Sequence, residues 1–148
     1  MITLDTNVLV YATDKKTAGR RHLIARDIVD AASGAKIAVA EQVLIEFINV
    51  ALRKTKLPLQ DVNPYVRAFL GDFLLLLPSR TAVGDVMELL RRYRLSVWDA
   101  HLVAVCFAHG CDVLLSEDLQ DGARYNGLTV LNPFDSGNAR KLDKLLRP

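Results

Sequence analysis

The chain has two cysteines, three histidines, no long apolar run and no marked excess of charge of either sign, and each shortage removes a class of function. Cys106 and Cys111 match neither a C-x-x-C redox pair nor a zinc-ligand spacing, and their apolar surroundings predict buried free thiols. His22, His101 and His109 share no one-turn spacing with a flanking Glu, which excludes the usual zinc helix. No apolar run approaches the roughly 18 residues that a membrane-spanning helix needs, and the N-terminus lacks the basic start and cleavage site of a secretory signal. No membrane association and a cytoplasmic location are therefore expected. Nineteen basic against seventeen acidic residues leave a net charge of +2, too little for composition alone to imply a nucleic-acid partner.

What is present describes an ordinary globular domain. Of the 148 residues, 51% are hydrophobic and 24% charged, which excludes disorder and allows one sizeable core. No repeat, low-complexity segment or internal boundary appears, so residues 1–148 read as a single domain with a basic C-terminal tail, 136–148, containing one short helix.

Strand-like and helix-like pieces alternate along the chain. Residues 2–4 form a short apolar strand that stops at Asp5, and Thr6 and Asn7 start a helix. Residues 17–33 carry Leu23, Ile24, Ile28, Val29 and Ala32 at helical spacing, and Gly34 ends that helix. A second strand at 36–39 leads into a helix at 41–54, whose apolar face (Val43, Leu44, Phe47, Ile48, Ala51, Leu52) also contains Glu46. Pro58 and Pro64 punctuate a connection into a helix at 66–73, and 74–77 is a third strand. Residues 81–94 form an amphipathic helix with Val83, Val86, Met87, Leu89 and Leu90 inward and Arg91, Arg92 and Arg94 in the last turn, where cations complement the dipole. A nearly all-apolar helix follows at 100–108, closed by Gly110. Strands at 113–115 and 128–131 complete the series, the latter after the Asn126-Gly127 turn. Strands separated by helices predict an α/β fold with a central parallel sheet covered on both faces.

Four acids hold special places in this scheme. Asp5 and Asp118 follow short apolar strands at their carboxyl ends, where open α/β sheets bind ligands. Asp99 opens the most apolar helix, and Glu46 interrupts an apolar helical face. Each has an ordinary structural role open to it: Asp5 as a helix cap, Asp99 in an S-x-x-D capping box with Ser96, Glu46 at a helix edge, Asp118 in a turn. Packed together, however, unpartnered carboxylates would repel and carry a desolvation cost of several kcal/mol per ion. A divalent cation resolves this, and hard oxygen ligands without Cys or His select Mg²⁺ or Mn²⁺, which complete their shells with water and phosphate oxygens. Phosphoryl-transfer or phosphodiester chemistry follows.

With L-D-T-N-V-L-V-Y at 4–11, E-Q-V-L-I-E-F-I-N-V at 41–50, V-W-D-A at 97–100, L-L-S-E-D-L-Q-D-G at 114–122 and L-T-V-L-N-P-F near the end, the chain resembles the PIN-domain ribonucleases. Within them it looks most like the VapC-type toxins of bacterial toxin-antitoxin pairs. The resemblance implies a three-layer α/β/α fold, a Mg²⁺- or Mn²⁺-dependent endoribonuclease acting on RNA, a cognate VapB-type antitoxin and a homodimer. It matches Asp5, Glu46, Asp99 and Asp118 to the family's metal-binding acids, and Thr6 and Ser116 to hydroxyl positions that support them. Many relatives carry the last acids as D-x-D. Here Leu119 and Gln120 separate Asp118 from Asp121, so Asp118, directly after its strand, is the fourth acid, Asp121 an outer-shell candidate, and Glu117 a weaker one. Arg20, Arg21, Arg53, Lys54, Lys56, Arg91, Arg92 and Arg94 are candidates for the RNA backbone. Two other classes fit less well. A haloacid dehalogenase-type phosphatase needs a second acid two residues after the first, where Asn7 stands, and a non-catalytic interaction module would not need all four acids.

Overall fold

β1 (Ile2–Leu4) is buried at every position, Thr3 included, as befits a strand covered on both faces. The computed structural model describes residues 1–16, 19–33 and 36–147. The remaining strands are β2 (Ile37–Ala40), β3 (Leu74–Leu76), β4 (Val113–Leu115), β5 (Arg124–Tyr125) and β6 (Leu128–Leu131). They form one six-stranded sheet in the order β3-β2-β1-β4-β6-β5, parallel throughout except for the β5–β6 pair.

This order dictates where the helices lie. α1 (Thr6–Thr13) and α2 (Arg20–Asp30), the latter continued by a 3₁₀ turn at Ala31–Ser33, carry the chain from β1 to β2. α3 (Glu41–Arg53) and α4 (Leu59–Asp72) carry it outward again to β3. α5 (Ala82–Arg92) and α6 (Val97–Ala108) then reverse direction and bring it to β4, on the other side of β1. Parallel crossovers are right-handed, so the reversal moves α5 and α6 to the opposite face from α1 to α4. α7 (Ala139–Leu146) packs by Leu142 and Leu146, and Arg147 just beyond it pairs with Asp27 of α2 at 2.5 Å. The result is the three-layer α/β/α architecture around a mostly parallel sheet.

Several local expectations change. α4 begins at Leu59 and runs through Pro64, which sits at an exposed position where the backbone carbonyl it leaves unpaired can meet water. On α5, Val86 and Leu89 are buried but Val83 and Met87 are exposed, and Leu23 of α2 and Leu52 of α3 are likewise exposed. Apolar residues on these helices span a wider arc than the sheet can cover. β5 was not foreseen; Asn126 (φ +52°) and Gly127 (φ +106°) form a two-residue turn with both central φ angles positive, which closes a β5–β6 hairpin. Thr17 and Gly34, the expected ends of the second helix, lie outside the described residues. Cys106 and Cys111 are free and buried.

The 136–148 tail forms a 3₁₀ turn (Ser136–Asn138) and then α7, docked through Asp121, whose Oδ1 accepts from the Asn132 amide at 2.7 Å and from Asn138 Nδ2 at 2.9 Å. These bonds hold the Asp121 carboxyl below its ordinary pKa, the Asn132 amide contributing most. Asp121→Ala is expected to lower stability by about 1 kcal/mol, the usual worth of such a bond at an exposed site. A thermal melt unchanged from the parent would show that Asp121 does not anchor the tail.

Candidate active site

β1 and β4 run in register, Leu4 beside Leu115, so the residues that follow them stand next to each other although 111 positions apart in sequence. The Asp5 amide donates to the Leu115 carbonyl at 3.0 Å, and Ser116 Oγ donates to Asp5 Oδ2 at 2.5 Å. The other carboxylate oxygen caps α1 by accepting from the Thr6 amide at 2.6 Å. β1 is also where the strand order reverses, so these residues line the crevice at the topological switch point.

Asp5 is only 8% exposed. Burial lifts its carboxyl from 3.8 to about 6, against the opposing pull of the bonds from Ser116 and Thr6; the charges of Asp118 and Glu46 add to the rise. Glu46 faces it from the second turn of α3, half-buried, accepting from Thr6 Oγ1 at 2.8 Å and from Gln42 Nε2 at 2.9 Å. Asn7 Nδ2 bridges Asp5 Oδ2 at 3.3 Å and Asp118 Oδ2 at 3.1 Å. Asp99 enters from the first turn of α6, where the Ser96 cap accepts from its amide at 3.1 Å and donates to its Oδ2 at 2.6 Å. Asp5, Glu46, Asp99 and Asp118 all line one cleft of about 380 Å³, with Thr6, Asn7 and Lys54.

The donor set suits a hard cation. Apart from Lys54, every polar group named is oxygen or amide, and Asn7 Oδ1 is buried without a hydrogen-bond partner among the described residues, an acceptor left over in the cleft wall. Among the described residues no group of three or more acids, histidines or cysteines stands close enough together to hold a metal ion by itself. A cation bound here would therefore have to take only one or two carboxylates directly and keep several waters.

Of the other candidates, Ser116 is fully buried behind Asp5, and its Oγ also accepts from the Asp118 amide at 3.1 Å. Asp121 faces the C-terminal turn instead of the cleft. Lys54 is the one cation lining the cleft among the described residues. Arg21 stands at the rim, its Nε 3.1 Å from Glu117 and its guanidinium 5.5 Å from the Tyr11 ring centroid. Tyr11 also donates to Glu117, and its phenol is pushed up to about 12 by burial first and that bond second. Arg91 pairs with Glu88, Arg92 reaches Asn126, and Arg20 borders a hollow beside α7; neither these three nor Arg53, Lys56 and Arg94 line the cleft. Sequence reasoning overlooked Asn7, Gln42, Tyr11 and Trp98 as cleft residues. The Gln42–Glu46 spacing of one helical turn was a usable signal, since such pairs face each other.

Comparison with known proteins gives concordant results. A toxin-antitoxin complex from Klebsiella pneumoniae superposes with a TM-score of 0.67 at 20% identity, over 91% of this chain and 99% of that one. The Mycobacterium tuberculosis toxin VapC20, which cleaves the sarcin-ricin loop, gives 0.62 at 17% identity, over 77% and 87%. VapBC2 from Rickettsia felis, bound to a promoter DNA fragment, gives 0.61 at 21% identity, over 88% and 97%. No curated protein sequence matches significantly. These likenesses concern the fold; the PIN domain family model matches residues 2–140, nearly the whole chain, and the chain belongs to the PIN-domain family.

Proposed function

We propose that the protein is a Mg²⁺- or Mn²⁺-dependent endoribonuclease and the toxin of a toxin-antitoxin pair. The observation that carries this reading is the acid cleft at the switch point, in which a buried carboxylate, Asp5, lies within reach of two further acids and of an unpartnered amide oxygen. Asp5 and Asp99 would hold the cation, with Glu46 and Asp118 completing the site. When bound, such a cation makes water a better nucleophile and offsets charge on a phosphate. The chain's own groups do the rest. Ser116 and the Thr6 amide fix Asp5 from both sides, Thr6 Oγ1 and Gln42 orient Glu46, and Lys54 offers a charge to the RNA backbone. Among the described residues no histidine lines the cleft, so proton transfer falls to carboxylates and water.

Purified protein is expected to cut RNA in Mg²⁺ or Mn²⁺ and to stop in EDTA, and end-mapping of cellular RNA after brief induction gives the sites. RNA that stays intact in both metals would defeat the reading. The fold likeness to toxins solved with their antitoxins supports a small antitoxin partner, and a cleft of this charge favours one that inserts an Arg or Lys. Mutating that cation should restore cleavage; a complex that cuts RNA while fully assembled would refute this mode of inhibition. Exposed Leu74, Leu77, Val83 and Met87 around β3 and α5 supply apolar surface for a homodimer. No helix among the described residues is long and apolar enough to cross a membrane, and we place the activity in the cytoplasm.

A further inference from the structure

Beside the acid cleft lies a second hollow, about 420 Å³, and Gln42, Glu46 and Trp98 form the wall between them. Ile45, Pro78 and Val105 make most of its remaining surface apolar. Its volume falls within the range of about 300–1,000 Å³ typical of small-ligand sites. Trp98 stands immediately before Asp99 at the start of α6 and is 67% exposed, so a large flat aromatic face is left open one residue from the acids.

The polar edge of this hollow is fixed by a chain of bonds with a single consistent assignment. Gln42 Nε2 faces Glu46 Oε1 at 2.9 Å and the Trp98 carbonyl at 3.1 Å, and both of those can only accept. Gln42 Oε1 must then face His101, whose Nδ1 lies 2.5 Å away and therefore carries the proton. In the neutral ring that leaves Nε2 as an acceptor, and among the described residues it has no partner. The Glu41 carboxylate is a further polar group on the wall, and among the described residues no Lys or Arg lines it. The hollow thus offers an aromatic face, apolar sides and several acceptors, with the Trp98 indole N–H as the one side-chain donor left without a partner among the described residues. A phosphate would be repelled there.

We propose that this hollow binds one unpaired nucleobase of the RNA next to the bond that is cut, stacked on Trp98, and that it prefers bases with an exocyclic amino group over uracil. The proposal rests on the nuclease reading above and names a specificity site for it. Single-stranded bases are recognised by stacking on aromatic side chains and by hydrogen bonds to their edges. Adenine, cytosine and guanine each present an amino donor to His101 Nε2 or Glu41, whereas uracil offers one N–H flanked by two carbonyls that meet the same acceptors unfavourably. The shared wall places such a base beside the acid cleft without any rearrangement of the chain.

Trp98 is the only tryptophan, so the indole fluorescence reports on the wall it shares between this hollow and the acid cleft, and the base preference distinguishes binding here. The full chain in EDTA is titrated with short single-stranded oligouridylates carrying one adenine, cytosine or guanine, and with the all-uridine strand. Saturable quenching is expected, with affinity for the amino-bearing strands at least about fivefold higher, and Trp98→Ala should weaken binding of a labelled strand by roughly tenfold, within the usual worth of one stacked base. Trp98→Phe should restore most of that binding, and His101→Ala and Glu41→Gln should each narrow the preference between bases. Equal quenching by all strands, or none, in protein that still cuts RNA with Mg²⁺ overturns the subsite and leaves the nuclease reading standing. Base-selective quenching in protein that cuts nothing supports the subsite and sinks the nuclease reading. Trp98→Ala protein that keeps its RNA affinity but changes its mass in solution shows a contact between copies, and the proposal falls.

Discussion

Asp5→Asn is expected to reduce RNA cleavage by more than about 100-fold while the fold survives, because even partners that merely orient a metal ligand cost 10- to 100-fold when lost. Asp5 is the acid on which the cleft converges: Ser116, the Thr6 amide and Asn7 all donate to it, and it is the most buried of the four. The substitution keeps the side-chain volume and one carbonyl oxygen, so packing against Leu4 and Leu115 is unaffected, but it removes the charge that would hold a cation. Asp99→Asn should fall in the same direction, since the Ser96 cap can still bond an amide and helix α6 should start as before. Induction of the parent in a bacterial host should arrest growth, and induction of either variant should not. Cleavage by Asp5→Asn within a few-fold of the parent, in an independent preparation free of contaminating nuclease, would remove Asp5 from the reaction.

The same substitution is expected to make the metal-free protein more stable, which a purely structural cap would not do. The folded carboxyl titrates at about 6 and the unfolded one near 3.8. As pH rises the unfolded chain loses its proton first, so this group costs nothing below about pH 4, and its cost grows between pH 4 and 6 and stays constant above. Two pKa units at 1.36 kcal/mol each make the penalty about 3 kcal/mol. The helpful bonds from Ser116 and Thr6 are already included in the folded value, so the figure is what burial and the neighbouring acids leave after those bonds. In EDTA at pH 7 to 8, Asp5→Asn should therefore melt above the parent, and the two curves should meet near pH 4. Excess Mg²⁺ should reverse the order. Binding to the folded state alone adds roughly 2.7 kcal/mol at 100 times the dissociation constant, and the variant gains less because it has lost a ligand. Parallel melting curves for parent and variant across pH 4 to 8, with and without Mg²⁺, would mean that Asp5 is neither strained by its neighbours nor part of a cation site.

Most of the strand and helix alternation, and the positions of the acids within it, could be read from the sequence because the signals are local. A short apolar run ending in Asp-Thr-Asn is a strand followed by a capped helix, and Ser96 with Asp99 is a capping pair that the structure reproduces. The Asn126-Gly127 pair carried a hairpin signal too, but a two-residue strand such as β5 is too short to show periodicity. Local pattern failed where packing decides. α5 has apolar residues on more than one side, and only its packing, chiefly against α6, selects Val86 and Leu89 over Val83 and Met87. Pro64 is a helix breaker by propensity, yet it stands at an exposed position, where the carbonyl left unpaired is open to water, and α4 continues through it.

The sequence by itself determined that carboxylates stand at the ends of buried strands and helices, since chain direction and capping chemistry fix each of them separately. Only the tertiary structure decided which of them share a cleft. The reversal of strand order at β1 sets β4 beside it, so Ser116 reaches Asp5, and Asn7 bridges Asp5 to Asp118. The same packing turns Asp121 toward the C-terminal turn and leaves Lys54, out of eight candidate cations, on the cleft wall. Hydrophobic burial fixes the sheet and the crossovers, burial is a property of the whole chain, and side chains 111 residues apart acquire their partners only when it is complete.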